Sequence, residues 1–159
     1  MNKNKDTKEK ICAFYASDYH FEMISLPYIN KKIENKNKII ILTENDLEKS
    51  IKTLLGNINL KEEKKEEILK LDWKNNDIEK FNRMKTKMNE KENIIIFVKG
   101  NKSYIQHMNQ NMKKWLPEEN HIKIIDCYDI EEVGDNLDEI MGQYEKVLRV
   151  TGEKEIENL

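Results

Sequence analysis

At 159 residues the chain fits one domain, large enough to bury a core without disulfide or metal staples. Charged residues make up 36%, but 28 Lys plus Arg against 30 Asp plus Glu leave a net charge of −2, without the basic surface that nucleic-acid binding requires. Only Arg83 and Arg149 carry guanidinium groups, so bidentate phosphate forks are scarce.

Residues 1–9 are polar and charged with no apolar run behind them, which reads as a disordered tail and not as a signal peptide. No stretch approaches the roughly 20 apolar residues that span a bilayer, so a cytosolic protein is expected, with no membrane partner. A single domain over 10–152 follows, with 153–159 as a frayed end.

The first strand covers 10–15. Ile11-Cys-Ala-Phe-Tyr15 then runs through Ala16-Ser-Asp-Tyr-His20 into a helix. In α/β proteins this strand-to-helix turn is the usual phosphate site, built from glycines or a Lys-Ser/Thr pair. Here it holds aromatics, hydroxyls, an acid and a histidine. The helix carries two apolar stripes, Phe21, Ile24, Tyr28 and Leu26, Ile29, Ile33, so it should lie well inside the fold, kinked at Pro27.

A second strand covers 38–42, followed by a helix with Leu47, Ile51, Leu54, Leu55 and Ile58 on one face and a capping-box-like start at Asn45-x-x-Glu48. The Lys/Glu stretch 59–67 reads as a solvated helix or a mobile connection. Residues 68–73 read as a third strand, although Lys70 interrupts the run and the same residues fit the tail of a helix starting near Lys61. Asn76-x-x-Glu79 opens another helix with Ile78, Phe81, Met84 or Lys85, and Met88. A fourth strand covers 93–98, and Tyr104, Met108, Met112 and Trp115 mark the next helix, closed by Pro117. A fifth strand covers 122–128. Asp129-x-x-Glu132 then opens a last helix with Val133, Leu137, Ile140 and Tyr144 inward, and 146–150 adds a short edge strand. The sum is an α/β fold: three layers, α/β/α, around a mainly parallel sheet of five or six strands.

Ligands of such sheets bind beyond the carboxyl ends of the strands, near a switch in strand order. That rule collects Tyr15, Ser17, Asp18, Tyr19 and His20 from the first strand, Thr43 and Glu44 from the second, and Asp72 and Trp73 from the third. Lys99, Tyr128 and Asp129 complete it. The expected ligand-binding set is Tyr15, Ser17, Asp18, His20, Glu44, Trp73, Lys99 and Tyr128, aromatic walls with a few polar groups suited to a small organic ligand. Each has a structural alternative: Ser17, Asp18, Asn45 and Asp129 as helix caps, Tyr15 and Trp73 as core or rim aromatics, Lys99 as a turn flank.

Catalytic signatures are missing. There is no Walker lysine, no Gly-x-Ser-x-Gly elbow and no Cys-His pattern. Cys12, His20, His107 and His121 lack metal-ligand spacing, and Cys12 and Cys127 read as buried, reduced core thiols. No catalytic residue, metal or cofactor is therefore expected.

The strand Lys10-Ile-Cys-Ala-Phe-Tyr15, the acidic aromatic turn, and Leu26-Pro-Tyr-Ile29 resemble the opening of the MEDS family, sensory domains of signalling proteins in methanogens and methylotrophs. Ile125-Asp-Cys-Tyr-Asp129 and Tyr144-Glu-Lys-Val-Leu148 resemble its closing segments. The chain departs at Lys10, where the family often has histidine, at Ile33-Glu34 and Asn35-Lys36 in place of glycine pairs, and at Gln143-Tyr144 in place of His-Pro. The resemblance implies a RecA-like sheet that has lost its phosphate loop and serves as a sensory or regulatory module for a small ligand or a signalling protein. Two other readings stand beside it. One is an enzyme using Asp18, His20 and Glu44 as acid–base groups. The other is a protein-binding adaptor, with a homodimer along the edge strand or the Met108–Trp115 helix.

Overall fold

The computed structural model describes residues 8–76, 93–115 and 121–156. Its sheet contains β1 (Lys8–Tyr15), β2 (Lys38–Thr43), β3 (Asn93–Gly100), β4 (His121–Asp129), β5 (Lys146–Arg149) and β6 (Gly152–Glu155). Their spatial order is β2-β3-β4-β1-β5-β6. Every neighbouring pair is parallel except the β5–β6 hairpin. The expected three-layer α/β/α fold is present, with six strands.

Period-two alternation sorts the isoleucine-rich strands onto two faces. On one, Ile11, Ala13, Ile41, Ile95, Phe97 and Ile125 meet Phe21 and Ile29 of α1 (Asp18–Glu34), Ile51 and Leu55 of α2 (Glu48–Asn57) and Ile68 of α3 (Glu62–Leu69). On the other, Cys12, Ile40, Leu42, Ile96, Val98 and Ile124 meet Ile105, Met108 and Met112 of α4 (Lys102–Trp115). Val133 of α5 (Ile130–Val133) and Ile140 of α6 (Leu137–Met141) complete that layer. Each buried Ile, Leu, Val, Met or Phe side chain contributes roughly 1.5–3 kcal/mol relative to exposure, so both sheet faces must be covered. Cys12 and Cys127 are buried on opposite faces, and desolvation raises both thiols, Cys12 to about 12.

From β1 the chain crosses through α1 to the edge strand β2, returns through β3 and β4, and passes β1 to reach β5. The strand order therefore switches at β1. Its carboxyl end, between β4 and β5, is where an open α/β sheet leaves a crevice.

Several expected boundaries change. Residues 68–73 form no strand: Ile68 and Leu69 end α3, Lys70 caps it, and β2 pairs directly with β3. The helical alternative starting near Lys61 is the one observed, because only Ile68 of α3 finds the core. Lys8 and Glu9 join β1 and are not tail. Glu153–Glu155, expected to fray, pairs with β5 as part of β6, since Gly152 supplies the φ of 110° that the tight reversal needs. This places β5 inside the sheet and not at its edge. The last helix is split into α5, a 3₁₀ turn (Gly134–Asn136) and α6, with Gly134 at φ 49° between them. The helix expected from Asn76 and the stop at Pro117 lie outside the described residues.

Candidate functional site

The first turn of α1 is partly capped by its own side chains. Ser17 is the N-cap, with Oγ accepting from the His20 N–H at 3.1 Å. The Ala16 N–H donates to His20 Nδ1 at 2.8 Å. A helix N-terminus offers unpaired N–H groups to a phosphate. Here the N–H of Ala16, just before the cap, is taken by the His20 imidazole, and a neutral ring in this bond carries its proton on Nε2.

Lys99, at the end of β3, is only 2% exposed. Thr43 of β2 and Cys127 of β4 flank it in register. Its ammonium donates to Asp18 Oδ1 and to Asn45 Oδ1, both at 2.9 Å, and lies 4.6 Å from the centre of the Tyr15 ring. Asn45 Nδ2 in turn donates to Asp18 Oδ2 at 2.9 Å. The charge is thus matched by one carboxylate, one amide oxygen and an aromatic face, an arrangement that lets an ammonium persist under cover. Burial pushes the Tyr15 phenol up, with Asp129 adding to the effect.

Glu44 lies at the rim. Its backbone N–H donates to the Lys99 carbonyl at 2.8 Å, and its carboxylate accepts from Asn101 N–H at 2.9 Å and Asn101 Nδ2 at 3.1 Å. Asn101 also caps α4, Oδ1 accepting from the Tyr104 N–H at 2.7 Å. Gly100 allows this close approach: a Cβ there would stand 2.6 Å from Tyr104 Cδ2 and 3.0 Å from Glu44 Cβ.

Of the expected set, Tyr15, Ser17, Asp18, His20, Glu44 and Lys99 gather at the strand ends. Trp73 and Tyr128 do not join them. Trp73 is buried beneath α2 and α3, Nε1 donating to the Ile68 carbonyl at 2.8 Å. Tyr128 points to the opposite face of the sheet, stacked on Phe14 with ring centres 5.7 Å apart. Asp129 is a cap, accepting from the Glu131 N–H, whereas Asn45 is not: Asp46 Oδ1 accepts from the Glu48 N–H, and Asn45 turns to Lys99.

Tyr128 belongs instead to a buried chain of donors. Its hydroxyl meets Tyr144 Oη at 2.7 Å, Tyr144 donates to Asp126 Oδ2 at 2.7 Å, and Asp126 also receives Asn109 Nδ2 and Lys10 Nζ, both at 3.0 Å. Every oxygen of the fully buried Asp126 side chain is engaged. The signal for it was one acid inside the apolar run Ile-Ile-Asp-Cys-Tyr of β4.

A cavity of about 470 Å³ opens beside the β1–α1 turn, at the ends of β1 and β5. Phe14, Ile24, Leu137, Met141 and Val147 supply its apolar wall, and His20, Arg149 and Thr151 its polar groups. Ile130 and Val150, 40% and 49% exposed, stand at its edge. Sequence reading reached only His20 of this group, because 146–150 read as an edge strand and not as a neighbour of β1. Among the described residues no three His, Cys, Asp or Glu side chains converge as a metal site, and no helix is long and apolar enough to cross a membrane. No family model, curated protein or solved structure matches the chain.

Proposed function

We propose that the chain is a non-catalytic, cytosolic sensory or regulatory domain that holds a small organic ligand in the β1–β5 cavity and reports it to a signalling partner. One observation carries this reading: at the β1–α1 turn His20 and Ser17 engage the Ala16 and His20 N–H groups, while an apolar cavity opens next to it. A pocket with an apolar wall and few polar groups selects a mostly apolar ligand and orients it by those groups. Arg149 and Thr151 suit a carboxylate end, and the His20 Nε2 a hydrogen-bonding group. The resemblance of the first and last segments to the MEDS family supports the same reading. The acid–base alternative is weakened because Asp18 holds Lys99, Glu44 holds Asn101 and His20 holds Ala16.

A thermal-shift screen of short-chain and aromatic carboxylates beside their neutral amides tests it. A ligand at 100 times its Kd should add roughly 2.7 kcal/mol of stability. Met141→Trp, which fills the cavity, and Arg149→Met should each abolish the shift for carboxylates. If no carboxylate shifts the melt, or if shifts survive Met141→Trp, the reading fails.

A further inference from the structure

Glu22 is the least explained polar residue of the fold. It lies on α1 toward α2, is 0% exposed, and its Oε1 has no hydrogen-bond partner among the described residues. Its other oxygen accepts from Ser50 Oγ on α2. Buried carboxyl oxygens are almost always paired, because an unpaired one forfeits its hydration without return. Burial raises the Glu22 pKa, Ser50 opposes this, Asp18 adds to the rise and Lys99 counters it. Glu22 lines a cleft of about 450 Å³ between α1 and α2 that shares no residue with the β1–β5 cavity.

We infer that this cleft is a second binding site, for a small primary ammonium ion carrying a short apolar body. An ammonium has three N–H donors and no acceptor. Glu22 Oε1 supplies the charged acceptor, and Ser50, Thr53 and Asn57 are further polar residues lining the same cleft. Leu54 and Ile58 offer an apolar wall for the body of the ligand. Tyr19, 60% exposed, also lines the cleft and brings an aromatic face that attracts cations. Lys49, a cation that also lines the cleft, makes no hydrogen bond to Oε1. Its charge there disfavours a second positive group on the ligand, so a monoamine fits better than a diamine.

Calorimetric titration of the full chain with benzylammonium chloride tests the site, with benzyl alcohol, tetramethylammonium and 1,4-diaminobutane as controls. Benzylammonium should bind saturably and amide signals of α1 and α2 should move in a heteronuclear NMR titration. Benzyl alcohol, which lacks the charge, and tetramethylammonium, which lacks N–H donors, should not bind, and the diamine should bind more weakly. Glu22→Gln should weaken benzylammonium at least tenfold, and Thr53→Trp, a change at an exposed position that fills the cleft, should abolish binding. Met141→Trp, in the other cavity, should leave it unchanged. No saturable binding at millimolar amine, or equal affinity in wild type, Glu22→Gln and Thr53→Trp, would overturn the inference.

Discussion

Lys99 and Asp18 form a pair whose members live in different media, 2% and 43% exposed. Removing the carboxylate strands a charge under cover, whereas removing the ammonium leaves a carboxylate that water can solvate. Asp18→Ala should therefore cost about 3 kcal/mol and Lys99→Met about 1 or less, with the double variant close to Lys99→Met, all readable by urea unfolding. The end-of-strand rule found both residues in the sequence, along with Tyr15, Ser17 and Glu44, because each follows a long apolar run. It could not find the partner of each: nothing local to Asn45 says that it will leave its helix for a lysine 54 positions away. It also gathered Tyr128, whose side chain the period-two alternation sends to the opposite face of the sheet.

Two acids, the half-buried Glu153 and the buried Glu22, titrate in opposite senses. Burial alone would raise Glu153, but hydrogen bonds from Lys123 and Tyr28 and the charges of Lys123 and Lys146 hold it down at about 2. Its stabilisation is therefore full above the unfolded carboxylate value and is lost as pH falls from about 4.5 toward 2. Glu153→Gln should lower stability at pH 7 by on the order of 2–3 kcal/mol and flatten that acid limb. Glu22 lies above its unfolded value, so its ionised form opposes folding at neutral pH and the penalty fades on acidification. Glu22→Gln should raise the melting temperature at pH 7, with a gain that shrinks toward pH 4. A gain independent of pH would show that the carboxylate is not the cause.

At the scale of elements, backbone conformation decides more than hydrophobic pattern. α1 ends where Lys36 enters the left-handed region at φ 64°, its N–H donating to the Ile33 carbonyl. A residue with a Cβ is strained there, so Lys36→Gly should gain up to about 1 kcal/mol in equilibrium unfolding. Gly100 is the reverse case: Gly100→Ala drives a methyl into Tyr104 and Glu44 and should cost about 1–3 kcal/mol. The buried faces of α1 and α2 were legible because their apolar residues recur at helical spacing; on α4 Met108 and Met112 were read correctly, Ile105 is buried where Tyr104 was expected, and the side chain of Trp115 lies outside the described residues. α3 was half legible, since a run of Glu and Lys carries little amphipathic signal and Ile68 alone anchors it. The break at Gly134 was not, because the inward positions Val133 and Ile140 keep a helical interval across it.

At the scale of the molecule, the strand order places a crevice at the end of β1, and the residues that fill it determine what can bind. The fold class was readable from strand–helix alternation. The cavity was not, because it depends on β5 lying beside β1, a long-range pairing that a four-residue strand does not announce. Where an α/β sheet usually presents bare N–H groups, this chain engages two of them, Ala16 and His20, with the side chains of His20 and Ser17. An amide-resolved NMR titration of Ala16, Ser17 and His20 with Mg·ATP, with inorganic phosphate, and with the carboxylate that gives the largest thermal shift examines that capping most directly. The expected result is that the Ala16 and His20 amides stay fixed at millimolar nucleotide and phosphate, while signals around Met141, Val147 and Arg149 move with the carboxylate. Saturable movement of the Ala16 amide with nucleotide would contradict it.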